Sequence, residues 1–473
     1  MTLQTDLTFT PATELRQQLR SRALSPVELL EAVLQRADEV QPTLHPFMTM
    51  DAEAARTAAQ SAEAAIMRGE PLGALHGIPV SIKDLEATKG LRTTFGSKFQ
   101  ENNVPTFDSV AVERVRAAGG IIFGKTNTPN YGHKDMCDNL LMPATRNPWK
   151  TDRTSGASSG GAAVAVAVGA GPLAHGSDGA GSIRIPAALC GVFGFKPSFG
   201  RIPMWPNADF WAARSHSGPI TRTVRDAALL LGVMAGPDAR DPLSLDAAVD
   251  DYEAACDGGV KGLRIAWSAD FGYAAVDAEV RAIAAAAARR FAELGCNVEE
   301  ATPAWDDPAP WAQALWYQNS AARFSDQLDT HPEWIEPSLR VQIEAGRQLS
   351  GLQVGRAMLA RTAFYDQARR FMDGFDLLLT PQMPCGAWSV DEAPRAIGGR
   401  SVSPDSIFDR LPFTFPFNGT GWPAASVPCG FTAEGLPVGL QIVAPWHQDA
   451  VCLRAAAAFE ALQPWAARRP SVR

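Results

Sequence analysis

Gly77-Ile78-Pro79-Val80-Ser81-Ile82-Lys83-Asp84, followed by the run from Asp108 to Gly120 and by Ile121-Ile122-Phe123-Gly124-Lys125-Thr126-Asn127, is the passage on which the fold turns. In the first piece Ile78, Val80 and Ile82 alternate, the period-two pattern of a strand, which ends at Lys83-Asp84. Asp108 to Ala118 reads as a helix closed by Gly119-Gly120, and Ile121-Ile122-Phe123 as a buried strand. Strand, helix and strand in this succession predict an α/β sheet with helices on its faces.

Outward from this passage the pattern continues. Ser25-Pro26-Val27-Glu28 is a capping box with proline at the first helical position, and Val27, Leu30, Leu34 and Ala37 follow at helical spacing. Residues 52–68 read as a second, alanine-rich helix that stops at Gly69. Further strands are expected at Leu263 to Trp267 and Asp376 to Leu379. Between them a helix carries Val280, Ile283, Ala287, Phe291 and Leu294, bounded by Asp277 and Gly295. Residues 423–429 and 438–444 read as adjacent strands around a turn at Glu434-Gly435, and a last helix is expected over 448–461. No composition break divides the chain. The expectation is one domain over 1–473: N-terminal helices to about 70, a catalytic core over about 70–235, a less regular substrate-side insertion over about 300–405, and a C-terminal part of the sheet with the last helix over about 406–473.

The 473 residues are 46% hydrophobic and 20% charged, enough apolar mass for a large core. The net charge of -8 is spread without blocks, which disfavours nucleic acid as a ligand. The first residues lack a basic start followed by an apolar run, so no secretory leader is expected. The weakly polar stretch Gly160 to Ala174 is too short and glycine-rich to span a bilayer. Seven scattered cysteines, with no CxxC pair and no Cys/His cluster, fit a reducing cytoplasm and no structural zinc.

Three features could carry chemistry. Lys83 ends an apolar strand, where burial would favour its neutral, basic form. Ser158-Ser159 sits inside GASSGG (156–161), and Ser182 inside GSDGAGSIRIP (176–186). Small residues before Ser182 let successive main-chain N–H groups turn toward one point, the geometry of an oxyanion hole. Taken singly, each also fits a structural role: Ser182 a helix cap, Lys83 a surface partner of Asp84, the serine doublet a polar loop. His76, His133, His175 and His216 lack a GxSxG elbow to serve and read as structural.

Taken together, the three resemble the amidase signature family. Lysine, then GxSSGG, then GxDxxGSIRxPA occur in that family's order, with Ser158 and Ser182 spaced 24 residues apart. The segments GKTNTPN (124–130), TRNPW (145–149), GVFGFKPSFGRIP (191–203), GPITRTVRDAALLL (218–231) and GLPVGLQIVA (435–444) extend the similarity over roughly 70–445. The resemblance implies a single α/β/α domain around a mixed twisted sheet and a Ser-cisSer-Lys triad. In that triad Lys83 is the base, Ser158 the bridging serine in a cis peptide, and Ser182 the nucleophile. It further implies oxyanion donors at Gly179, Ala180, Gly181 and Ser182, with Ser159, Asp178 and Arg184 in support. Ala157 and Ala180 stand where the family commonly has glycine.

The implied activity is hydrolysis of amide bonds through an acyl-enzyme, without metal or cofactor, and esters and carbamates offer the same carbonyl chemistry. Aromatic residues in irregular segments suggest hydrophobic or aryl amides, with Tyr131, Cys137, Trp205, Phe210, Trp211 and Trp316 as expected pocket residues. The expected partner is the small substrate, for a monomer or homodimer without nucleic acid or membrane. Two other readings are the glutaminase subunit of a tRNA-dependent amidotransferase and a non-catalytic scaffold of the same fold.

Overall fold

The computed structural model describes residues 7–207 and 215–472. Among them, eleven strands form one sheet and two form a small hairpin. In chain order they are β1 (Phe47–Met50), β2 (Pro79–Lys83), β3 (Ile121–Thr126), β4 (Leu173–Asp178), β5 (Phe193–Lys196), β6 (His216–Thr221), β7 (Arg264–Trp267), β8 (Asn297–Glu300), β9 (Leu377–Pro381), the hairpin strands β10 (Ala396–Ile397) and β11 (Arg400–Ser401), then β12 (Ala424–Phe431) and β13 (Pro437–Val443). The large sheet runs β1-β3-β2-β4-β6-β5-β12-β13-β9-β7-β8.

It is a mixed sheet flanked by helices. β3, β2 and β4 are parallel neighbours, as are β9, β7 and β8, and antiparallel pairings join the two groups through β6, β5, β12 and β13. β2, β4, β5, β6, β9 and β13 are buried along their whole length, as expected where both faces are covered. The helices start where the sequence predicts: Ser25 and Glu28 close a capping box on Pro26–Leu44, and Gly69 ends Ala52–Arg68 in a left-handed conformation.

One region departs from the expectations. The stretch 300–405 is not irregular: it holds the helices Ala309–Thr330, Pro337–Arg347 and Gly351–Met372, and β9 of the main sheet. These helices escape a reading of the sequence because their buried face includes small and polar residues such as Ser320, Gln342, Gly346, Ala357 and Ala368, while the apolar Val341, Leu352, Met358 and Leu359 are exposed, which blurs the stripe. Gly160–Ala167, built of glycine, alanine and valine, is a helix buried at every residue. It sits so close to its neighbours that a side chain at Gly161 would lie 2.4 Å from the amide of Asn127 and the carbonyl of Pro46. Among the described residues no helix is long and apolar enough to cross a membrane.

Candidate active site

β2 and β4 lie side by side and parallel, with Ile82 opposite His175. This register carries the carboxyl ends of both strands to one place, where open α/β sheets keep their sites. Lys83, the last residue of β2, is completely buried. Its Nζ donates to Ser158 Oγ at 2.7 Å, to Ser177 Oγ at 3.0 Å and to the Ser177 carbonyl at 3.0 Å. Burial pushes its pKa down from 10.5 to about 7, against the attraction of Asp178, Cys137 and Glu86. Asp84 does not pair with it; its carboxylate takes hydrogen bonds from the Thr94 amide and hydroxyl.

Ser158 and Ser159 immediately precede the buried helix Gly160–Ala167, and the Ala157–Ser158 peptide is cis. Ser159 Oγ donates to the Ser177 carbonyl at 3.2 Å and its N–H to the Ser182 carbonyl at 3.1 Å, which ties the doublet to the 176–182 turn. Ser182 lines the same cavity as Ser158. Its hydroxyl forms no hydrogen bond with a described residue.

The turn from Asp178 to Ile183 is built around one carboxylate. Asp178 accepts from the N–H groups of Gly181 (2.7 Å) and Ile183 (3.2 Å), from Arg184 Nε and Nη2 (2.9 and 3.0 Å), and from Asn418 Nδ2 (2.8 Å). Burial works to raise its pKa, but Arg184, Lys196 and Asn418 outweigh it and hold it below the usual carboxylate range. Arg184, also fully buried, sends its remaining donors to the Thr414 carbonyl, Gln441 Oε1 and Asn418 Oδ1. The Asp178 and Arg184 charges are paired and hydrogen-bonded, the condition under which burial is tolerated.

This arrangement corrects one expectation. The Gly181 N–H is committed to Asp178 and is not available to an oxyanion. The N–H groups of Gly179, Ala180 and Ser182 are given to no described residue. Gly181 has φ +128°, a conformation that disfavours any side chain, and a Cβ there would meet Thr414 at 2.6 Å. Ala180 needs no such freedom, so alanine fits where the family commonly has glycine.

The cavity has a volume of about 100 Å³ and is lined by Tyr131, Gly132, His133, Ser158, Gly179, Ser182, Trp316, Arg323 and Phe324 among others. Tyr131 stacks on Phe324 with centroids 4.3 Å apart. Trp316 lies against Gly179 and donates its indole N–H to Gln342 Oε1 at 2.9 Å. Two of the expected pocket residues lie elsewhere. Cys137 is buried behind the site, its thiol donating to the Asn127 carbonyl. Trp205 packs on Phe107 and under Arg240, which is itself paired with Glu113 and Asp238. Phe210 and Trp211 fall outside the described residues.

The histidines have structural partners. His133 bonds the Asn130 carbonyl and Ser338 Oγ, and His175 bonds Ser217 Oγ, and burial holds both near pKa 3. No group of His, Cys, Asp or Glu among the described residues is disposed to hold a metal. Gln342, Thr414, Asn418 and Gln441, which hold Trp316 and Arg184, were not anticipated: they lie more than 150 residues beyond Ser182, and no local pattern marks them.

A mixed α/β sheet that brings a desolvated lysine, a serine doublet and a serine-bearing glycine turn to one cavity is the architecture of an amide hydrolase. The Amidase family model matches residues 28–453, and the chain belongs to that family as an amide-hydrolysing enzyme. It is 44% identical over 472 residues to the acylamidase of Rhodococcus erythropolis, covering 98% of each chain. It superposes on the crystal structure of a bacterial aryl acylamidase of the amidase signature enzymes with a TM-score of 0.92, at 33% identity and 97% coverage of both. It is 35% identical to the A-type component of the glutamyl-tRNA(Gln) amidotransferase of Roseiflexus sp. strain RS-1, over all of this chain and 99% of the relative.

Proposed function

We propose that the enzyme cleaves hydrophobic and aryl amides through an acyl-enzyme on Ser182, with Lys83 as base and Ser158 as proton carrier. One observation carries this reading: a fully buried lysine with pKa about 7 donates at 2.7 Å to a serine hydroxyl that shares a cavity with Ser182. A lysine poised near neutrality is half in its basic form, and an intervening hydroxyl passes a proton without itself bearing charge for long.

In the cycle, Ser182 turns its free hydroxyl toward Ser158. Lys83 takes the Ser158 proton as Ser158 takes that of Ser182, and Ser182 attacks the carbonyl. The oxyanion is met by the N–H groups of Gly179, Ala180 and Ser182, which the Asp178 carboxylate leaves exposed by curling the turn around itself. The proton returns through Ser158 to the leaving amine, and water releases the acid by the same route.

The aromatic walls of the cavity favour a flat or apolar acyl group over the polar side chain of glutamine. The higher identity to an acylamidase than to the amidotransferase component supports the same choice. Esters and carbamates fit the same chemistry. The seven cysteines are unpaired, which suits a reducing cytoplasm, and the site needs no second chain, as for a monomer or homodimer.

The test is a panel of anilides, primary amides, glutamine, esters and carbamates, run on wild type and Ser182→Ala. Anilide hydrolysis and fluorophosphonate labelling are expected in the wild type, with loss of both in the variant. Turnover retained by Ser182→Ala would refute the nucleophile, and preference for glutamine would refute the substrate class.

A further inference from the structure

A second cavity, of about 360 Å³, opens on the helix Gly351–Met372 and shares no lining residue with the first. Its walls are Phe199, Tyr365 and Trp446, with Met358 at the rim and the Gly419-Thr420-Gly421 main chain at the base. Tyr365 stands edge-on to Trp446, and Trp446 and Met358 are 38% and 49% exposed, so the aromatic lining is reached from solvent.

Arg361 projects into this lining, and its pairing is unlike that of the other buried arginines. Arg184 is matched by Asp178, Arg410 by Asp135 and Arg201 by Asp449, while Arg222 is satisfied by carbonyls. Arg361 is half-buried and has one hydrogen bond, from Nε to the Gly419 carbonyl at 3.0 Å. Among the described residues neither terminal nitrogen of its guanidinium has a partner, and no carboxylate lines the cavity. Burial alone shifts its pKa, downward, with no neighbouring anion to oppose it. A guanidinium held by Nε presents a planar fork of parallel N–H donors, which matches a carboxylate in two-point fashion. Rings beside it offer stacking and edge contacts to a flat body.

We propose that this cavity is a binding site for an aryl carboxylate, with Arg361 taking the acid and Tyr365, Trp446 and Phe199 enclosing the ring. The site is separate from the catalytic cavity and does not depend on which residue attacks the amide. A carboxylate here forms the charge pair that the fold omits, and it displaces water from three aromatic faces.

The probe is 2-naphthoate, with the neutral 2-acetonaphthone as control, titrated calorimetrically into the full chain at about pH 7.5 and low salt. Wild type and Trp316→Ala, which alters only the catalytic cavity, should bind naphthoate equally and with saturation. Arg361→Gln should lose about tenfold or more in affinity, the usual effect of removing charged hydrogen bonds. Met358→Glu is a rim change that leaves the core untouched, and it sets a tethered carboxylate three residues from Arg361 on the same helix face. It should weaken naphthoate similarly while keeping the wild-type melting temperature, so the test survives a poorly folded Arg361 variant. Acetonaphthone should bind at least tenfold more weakly than naphthoate. Absence of saturable binding, equal affinity in Met358→Glu, no preference for the acid, or loss of binding in Trp316→Ala would each overturn the proposal.

Discussion

Replacing Lys83 by arginine keeps a cation and a hydrogen-bond donor beside Ser158 but removes the one property the proposed mechanism requires, a readily lost proton. In the wild type the pKa falls from 10.5 to about 7, worth about 5 kcal/mol at roughly 1.4 kcal/mol for each tenfold. An ordinary lysine is neutral about once in 3,000 at pH 7, whereas Lys83 is neutral about half the time, an enrichment of about 1,500-fold. Arginine does not deprotonate in proteins, so Lys83→Arg should lose kcat/KM by about 1,000-fold or more. For the wild type the sign is set by the basic form. As pH falls below about 7 the lysine protonates, and kcat/KM should drop about tenfold per pH unit, to about 1% of its plateau at pH 5. The assay is initial-rate hydrolysis of a 4-nitroanilide from about pH 5 to 9, with circular dichroism to confirm that both proteins stay folded. A flat profile down to about pH 5, or a Lys83→Arg variant within tenfold of wild type, would refute the reasoning.

The same buried amine should be visible in stability. The unfolded lysine titrates near 10.5 and the folded one near 7, so between these values the unfolded state binds more protons and stability rises with pH. Relative to Lys83→Met, the wild type should therefore gain about 1.4 kcal/mol per pH unit above about 7, read by urea denaturation at several pH values, and parallel curves would contradict it. Gly181→Ala forces a side chain into a backbone at φ +128° and against Thr414, and should cost about 1–3 kcal/mol and most of the activity, measured by thermal melting and kcat. Gln342→Leu removes the acceptor that Gln342 offers the Trp316 indole N–H, a loss of about 1–3 kcal/mol, and loosens the hold on the ring beside Gly179. The KM for an anilide should rise about tenfold with a smaller change in kcat, and an unchanged KM would remove Trp316 from the pocket wall.

Much of this molecule was legible along the chain, because strand alternation, helix caps and turns are set by residues adjacent in sequence. The alternation of Ile78, Val80 and Ile82 placed Lys83 at a strand end, and the Ser25 and Glu28 pair marked a helix start. The turn at Glu434-Gly435 marked the pairing of β12 with β13. The helices between 300 and 405 were obscured because their buried face carries small and polar residues while Val341, Leu352, Met358 and Leu359 stand exposed, which blurs the periodicity.

By itself, the order and spacing of lysine, serine doublet and serine turn determined the family and the α/β class, because each motif is a contiguous run of residues and Lys83 ends a readable strand. Tertiary structure alone decided which groups meet. It placed Lys83 Nζ 2.7 Å from a hydroxyl 75 residues away, spent the Gly181 amide on Asp178, and sent Cys137 and Trp205 away from the cavity. It also brought Asn418 and Gln441, 234 and 257 residues along the chain, to satisfy Arg184. The physical reason is that burial and hydrogen-bond partnership depend on what surrounds a group in space, and the chain order of residues does not record that.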